Sequence, residues 1–351
     1  MKACVLKAPG RFCVEEVPVP VLKDGEALIR VAACGVCGSD ISRIFGNGAH
    51  QFPLVPGHEF AGIVDRTGPG VDLKLAGKRV AVFPLIPCRR CAMCEIGEYA
   101  QCEEYSYLGS RQDGAFAEYV AAPAWNLVPV PESVSLEEAA MTEPAAVAIH
   151  ALRVAGLDVG DTVMIFGAGP IGLILARWGE IWGARDRFLV DIDPARLQFA
   201  ADLGFTNLLN AREADPVAWV RERTAGRGAD LVVEGSGASA ALGQAIEAAR
   251  PLGRVVLMGN PAGEMRLSQQ AYWALLRKQL RVNGTWNSSY SAMPRNEWEL
   301  VLDHLAGRKL VLGDLITHRV SLDELPALIK RIRDRSVFSC KAMYSNREAI
   351  Q

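Results

Sequence analysis

The sequence predicts an α/β chain in two parts, a β-rich N-terminal region and a parallel-sheet region after it. Three observations lead there. The 351 residues exceed what one hydrophobic core usually serves. Residues 1 to about 130 break into short apolar stretches separated by Gly and Pro turns, the pattern of an all-β module. From about residue 161 strand-like and helix-like segments alternate, which implies βαβ units and a parallel sheet.

Taken in order, the β-rich part contains "EALIRVAAC", "FAGIVDR", "KRVAVFPL" and "AFAEYVAAP". The texture changes at "SVSLEEAAMTEPAAVAIHALRVAG", which opens on serine and early acids, continues with apolar residues at helical spacing, and carries Pro144 as the expected break. The alternating part reads as strand "DTVMIFGAG", a helix from 170, strand "RFLVDID", a helix from 194, strand "ADLVVEGSG", a helix from 238, strand "GRVVLMGN" and strand "LRVNGTW". After about 291 come a helix ("NEWELVLDHLAG"), a short strand ("THRVS") and a helix ("LDELPALIKRIRD"), with no internal repeat and no low-complexity linker.

Composition bounds the function. Half the residues are hydrophobic and 22% are charged, ordinary for a soluble globular protein. A net charge of -2 offers no electrostatic case for nucleic acid or an anionic membrane as partner. The N-terminus "MKACVLKAPGRF" lacks an apolar signal segment, and glycines and a proline interrupt the longest apolar run, so a cytoplasmic protein is expected. Of nine cysteines, four crowd into "PCRRCAMCEIGEYAQC", and in a reducing cytosol clustered thiols point to metal rather than disulfides.

Three constellations carry chemistry. In "VMIFGAGPIG" the residues Gly167, Gly169 and Gly172 stand in GxGxxG spacing after an apolar strand, and Pro170 and Ile171 open the following helix. The first glycine permits the turn, the second lets backbone approach a pyrophosphate, and the third lets helix pack on strand. The diphosphate of a dinucleotide would sit at that helix N-terminus. Asp191, nineteen residues past Gly172, ends the next strand where an acid binds ribose hydroxyls and repels a 2'-phosphate, so NAD is favoured over NADP. Arg196, five residues on, could accept that phosphate or be a plain helix-surface charge.

The second constellation is Cys88, Cys91, Cys94 and Cys102, spaced C-x2-C-x2-C-x7-C. Four thiolates can converge on one tetrahedral ion and close its coordination, which argues for a structural zinc, with iron or an iron-sulfur cluster as the competing occupants. The third is dispersed: Cys37 in "CGVCGSD", His58 and Glu59 in "PGHEFAG", and Glu143 in "MTEPA". Cys, His and a carboxylate supply three ligands and leave a fourth position for water or an alcohol. Each of these residues taken singly also reads as a packed side chain.

These motifs, in this order, resemble the zinc-containing medium-chain alcohol/polyol dehydrogenase family over essentially the whole chain. The loops "CGSDISRIFGNGAHQFPLVPGHEF", "PLIPCRRCAMC", "YLGSRQDGAFAEY" and "GTWNSSYSAMPRNEWE" look most like the branch acting on galactitol 1-phosphate. The resemblance implies a GroES-like β-rich catalytic domain over 1–153 with a zinc lobe at 88–102. It further implies a Rossmann doubly wound NAD-binding domain over 154–290, and a segment 291–351 returning to the catalytic domain. It implies two Zn²⁺ per chain and NAD. Cys37, His58 and Glu143 would be catalytic zinc positions, with Glu59 a neighbouring carboxylate that ligates directly or through water.

Further roles follow from the same resemblance. Ser39 would take the alcohol proton, or simply be a turn hydroxyl. Asp40 would orient His58, or cap a turn. Arg43 and Arg111 would meet a substrate phosphate unless they are surface charges, and His50 and Trp286 would line the pocket unless they are a loop residue and a subunit contact. The implied reaction is NAD-linked oxidation of a polyol or polyol phosphate, galactitol 1-phosphate to tagatose 6-phosphate in the first instance. Sorbitol, another polyol or threonine is the alternative substrate. The implied assembly is a homodimer or homotetramer. A zinc-binding module or a non-catalytic NAD-binding protein would be the reading from a different class.

Overall fold

The computed structural model describes residues 1–261, 263–292, 296–346 and 349; residues 293–295, part of the loop quoted above, lie outside the described residues. The chain divides into two compact units, Met1–Glu143 with Ser289–Gln351, and Pro144–Ser288. The join lies inside the helix Thr142–Val154, at whose end the sequence suggested a boundary.

The first unit is built on a seven-stranded sheet. Along it run Ile316–Val320, Lys341–Ser345, Glu26–Gly35, Glu59–Thr67, Arg79–Val82 and Leu127–Pro129, with Tyr119–Pro123 also paired to Glu26–Gly35. The strand Glu26–Gly35 is the hub, antiparallel to Glu59–Thr67, to Tyr119–Pro123 and to Lys341–Ser345. Its residues from Val31 to Gly35 are all buried, and Val31, Phe60, Val80, Phe116 and Val120 join one continuous apolar core. Such burial is the main favourable term in holding the sheet together.

In the second unit six strands run in the order Leu208–Asn210, Asp186–Asp191, Thr162–Phe166, Ala229–Glu234, Ala249–Leu257 and Arg281–Gly284, all parallel. Numbered along the chain this is 3-2-1-4-5-6, the doubly wound dinucleotide-binding order. Every residue of the central strand, TVMIF, is buried, as expected where helices cover both faces of a parallel sheet.

Two local expectations change. The helical stretch after residue 134 does break, but at Met141, between Leu136–Ala140 and Thr142–Val154. Pro144 falls in the first turn of the second helix, where the N–H it lacks has no intrahelical partner to lose. The helices Gly38–Phe45, Pro216–Arg223 and Gln269–Arg277 and the strand Lys341–Ser345 are additions to the predicted elements. No helix among the described residues is long and apolar enough to cross a membrane.

Candidate metal centres and dinucleotide site

The four-cysteine loop folds around a single helical turn, Ala92–Glu95, with Cys91 at its N-cap and Gly97 in the left-handed region just beyond it. All four Sγ atoms lie within 4.8 Å of one another; Cys88 and Cys94 are 4.0 Å apart, as are Cys91 and Cys102. Thiolates about 2.3 Å from a tetrahedral zinc stand about 3.8 Å apart, so the loop fits that ion with little movement. All nine cysteines of the chain are free thiols, so no disulfide competes for these four. The Cys91 thiol is pulled down to about 6, chiefly by the backbone N–H groups of Glu103 and Cys94, while burial pushes Cys94 up to about 12.

The dispersed residues converge in the first unit. Cys37 is the N-cap of the helix Gly38–Phe45, and Glu59 is the first residue of its strand, paired with Gly35. One donor atom each from Cys37, His58 and Glu59 lie within 4.8 Å of one another. A thiol, an imidazole and a carboxylate at this spacing form an open three-ligand set suited to zinc. Glu143, expected among the ligands, falls outside that closest group. It is 7% exposed, and the Tyr107 hydroxyl donates to its Oε1 (3.2 Å). Burial raises the Glu143 carboxyl to about 7, the Glu59 charge adds to the rise, and His58 and Lys341 oppose it.

Asp40 underlies the centre. It is fully buried; its Oδ2 accepts the Cys37 backbone N–H (3.0 Å), and its Oδ1 accepts from Arg43 Nη1 (2.6 Å) and faces His58 Nδ1 at 3.5 Å. Burial would push His58 down, but Asp40, followed by Cys37, raises it well above its ordinary value. Burial opposes ionisation of Asp40, yet His58, Arg43 and the Cys37 N–H together hold its carboxyl below the usual range. This placement corrects the substrate role considered for Arg43. The residue is 7% exposed and its guanidinium is engaged by Asp40, so it does not stand free to meet a phosphate.

The other predicted residues are more dispersed. Ser39 is exposed in the first turn of the same helix, and His50 is exposed on the loop after it. Arg111 is exposed, stacks over the Tyr105 ring at 4.3 Å and donates to the Tyr105 carbonyl. Trp286, in the second unit, is 56% exposed.

Two residues beside this donor set escaped the sequence reading. Tyr107 meets the His58 ring edge-on, 5.8 Å between centroids, besides holding Glu143. Lys341 is buried and donates to Glu59 Oε2 (2.5 Å) and to the Val36 carbonyl (3.2 Å). Burial would lower the Lys341 pKa, but the Glu59 charge, then Cys37, raises it instead. The available signal was a lysine inside the otherwise apolar run "CKAMY".

In the second unit the glycine loop is sterically determined. Gly167 follows the central strand at φ +111°, Gly169 caps the helix Pro170–Ile181, and a Cβ on Gly172 would lie 1.9 Å from the Gly167 carbonyl oxygen. Asp191 is 8% exposed at the end of the neighbouring strand; its carboxylate accepts the N–H groups of Ala168 (2.8 Å), Ile192 (2.7 Å) and Asp193 (3.0 Å). Arg196 lies 3.5 Å from Asp191 and is about half exposed. Glu234, buried at the end of the next strand, fastens the Ser236 and Gly237 N–H groups, fixing a second loop beside Gly167.

The chain resembles known proteins in both of its parts. Residues 23–132 match the family model described as "Alcohol dehydrogenase GroES-like domain", and residues 170–307 match "Zinc-binding dehydrogenase". The chain is 35% identical over 333 residues to a galactitol 1-phosphate 5-dehydrogenase of Escherichia coli K12, covering 95% of this chain and 96% of that one. It is 37% identical over 268 residues to a sorbitol dehydrogenase of Bacillus subtilis, covering 75% and 76%. The crystal structure of galactitol-1-phosphate dehydrogenase from Escherichia coli superposes with a TM-score of 0.92 at 35% identity, over 99% of this chain and 100% of that one.

Proposed function

This chain belongs to the zinc-binding alcohol and polyol dehydrogenase family, with a GroES-like domain and a Rossmann domain, and from that premise we propose that it oxidises a secondary alcohol of a polyol phosphate to the ketone. NAD is the proposed hydride acceptor and galactitol 1-phosphate the proposed substrate. The observation that carries the reading is the convergence of Cys37, His58 and Glu59 into one open donor set, in a chain that also presents the glycine loop and Asp191.

In this reading Cys37, His58 and Glu59 hold the catalytic ion, with Glu143 the further carboxylate of the centre, and Cys88, Cys91, Cys94 and Cys102 hold a structural one. When bound, zinc would make the alcohol O–H easier to deprotonate, and NAD would accept the hydride from the carbon that bears that oxygen. The chain's own groups do the remaining work. Ser39, exposed two residues past Cys37, receives the alcohol proton. Asp40 keeps the His58 ring oriented with Nδ1 toward its carboxylate, leaving Nε2 as the ligand nitrogen. Gly167, Gly169, Pro170, Ile171 and Gly172 seat the pyrophosphate against backbone N–H groups. Asp191 receives the ribose hydroxyls, since a carboxylate held by three N–H donors still has lone pairs to offer them. Arg111 is the proposed partner of the substrate phosphate, with His50 beside the substrate.

The assembly proposed is a homodimer. Among the described residues the strand Arg281–Gly284 pairs on one side only, with Ala249–Leu257, and Val282, Trp273, Leu276 and Trp286 are exposed in the same unit. An open sheet edge is covered when a second copy continues the sheet. Light scattering on the purified protein measures this directly, and a monomer at micromolar concentration would refute it.

The substrate is tested by following NADH absorbance with a panel of galactitol 1-phosphate, galactitol, sorbitol, xylitol and threonine. The proposal expects kcat/KM for galactitol 1-phosphate to exceed that for galactitol at least tenfold. Faster turnover of sorbitol would instead support the reading favoured by the sorbitol dehydrogenase relative.

A further inference from the structure

The guanidinium of Arg43 lies away from solvent, at the foot of the proposed catalytic metal centre. The helix Gly38–Phe45 places Asp40 and Arg43 three residues apart, on one face, with side chains 0% and 9% exposed. Arg43 Nη1 donates to Asp40 Oδ1 at 2.6 Å, and its Nε is buried with no hydrogen-bond partner among the described residues. The same Asp40 touches two of the proposed ligand residues at once: it accepts the Cys37 backbone N–H, and its Oδ1 faces His58 Nδ1 at 3.5 Å.

A carboxylate sealed from water requires a counter-charge or several donors, because its desolvation is costly. Imidazole binds zinc in its neutral form, so His58 supplies no charge to Asp40 in the metal-loaded centre. Among the described residues Arg43 is then the permanent cation within salt-bridge reach of Asp40, since a guanidinium does not lose its proton. Its planar fork also fixes the direction of the carboxylate, which a point charge does less well.

We propose that Arg43 is a positioning residue for the catalytic zinc: by clamping Asp40 it fixes the Cys37 N-cap and the His58 ring in the arrangement that binds the ion. This rests on the metal assignment made above and adds to it a residue that touches neither metal nor substrate. It also accounts for a cation beside "CGSD" that the chain keeps buried. The clamp predicts that loss of Arg43 weakens one metal site and leaves the other untouched. Outer partners of metal ligands typically contribute 10–100-fold in affinity.

The test is zinc content per chain under graded chelator competition, for the parent protein, Cys37→Ser, Arg43→Met and Arg43→Lys. The Cys37→Ser variant identifies the metal held by the four-cysteine site. Cobalt substitution gives a second readout, because four-thiolate and one-thiolate centres differ in their visible spectra. The expected result is that Arg43→Met holds the open-site metal 10–100-fold more weakly, with the four-cysteine metal unchanged, and that Arg43→Lys recovers part of the loss. Retention of both metals at parental affinity in Arg43→Met overturns the inference. So does parallel loss of both metals, or a Lys variant no better than Met, which would make Arg43 a general folding residue. A parent protein that binds no second zinc at all overturns the metal assignment itself, and the inference with it.

Discussion

Replacing Lys341 by methionine should destabilise the metal-free first unit more than any single change at its surface. The Nζ of Lys341 and Oε2 of Glu59 are 2.5 Å apart, with side chains 3% and 2% exposed. At an effective dielectric of about 20 the gross attraction at that distance is about 7 kcal/mol. Methionine fills most of the lysine volume, so packing changes little and the cost comes from leaving Glu59 buried without its partner. Breaking a buried pair from one side typically costs about 3–5 kcal/mol. For a unit of about 200 residues, at about 2–4 °C per kcal/mol, the melting temperature should fall by about 6–20 °C. Because the Lys341 pKa is raised, its contribution is fully present below the ordinary lysine value and lost only above it, so scanning calorimetry at about pH 7.5 reads the whole effect. The variant Lys341→Met/Glu59→Gln should recover most of the loss, since both charges are then gone. Added zinc should narrow the gap, because a divalent ion near Glu59 takes over as counter-charge. A shift below about 2 °C, or a double variant no more stable than the single one, would refute this reasoning.

Three further outcomes are expected. Cys91→Ser should lose one zinc and lower thermal stability or assembly, whereas Cys37→Ser should fold, keep the four-cysteine metal and lose turnover at least a hundredfold; metal analysis, calorimetry and NADH absorbance separate the two. Asp191→Ala removes the acceptor for three backbone N–H groups and, on the proposed reading, for the ribose, so kcat/KM with NAD should fall at least tenfold while the NADP to NAD ratio rises. Glu143, raised to about 7 by burial, favours folding of the metal-free protein below the ordinary carboxyl value, and that contribution, on the order of 3 kcal/mol, is lost as pH rises from about 4.5 to 7. Glu143→Gln should therefore flatten the pH dependence of urea midpoints in that window.

How much was legible in the sequence depended on the range of the signal. Gly167, Gly169, Gly172 and the four clustered cysteines state their geometry within about fifteen positions, because local turns set the spacing of backbone N–H groups and thiols. Cys37, His58 and Glu143 could be grouped, with Glu59 beside them, through their ligand chemistry and the family resemblance; that Glu59 rather than Glu143 joins the closest donor set was not legible, because it depends on where the strand Glu59–Thr67 begins. Lys341 could not be, since it reaches Glu59 only through a strand 282 residues downstream that pairs with Glu26–Gly35. Arg43 was legible as a charge but not as a buried one. Its i,i+3 relation to Asp40 becomes meaningful only once Gly38–Phe45 is known to be a helix, and eight residues that begin on a glycine give a weak helical signal.

The position of Lys341 explains a further residue that has no chemistry of its own. The strands Lys341–Ser345 and Glu59–Thr67 flank Glu26–Gly35 on opposite sides, so a lysine from one meets a carboxylate from the other only across the end of the middle strand. The last residue of that strand is Gly35, paired with both Met343 and Glu59. A Cβ there would stand 2.3 Å from Glu59 Oε2, the atom that accepts the Lys341 hydrogen bond. Any side chain at residue 35 would thus push the carboxylate off its partner or turn it toward Cys37 and His58, changing charge balance and ligand geometry together. The same strand end delivers Cys37 two residues later as the cap of the Asp40 and Arg43 helix. The donor set therefore depends on a gap in the sheet, and the absence of a side chain at Gly35 is as much a part of the metal centre as the thiol that follows it.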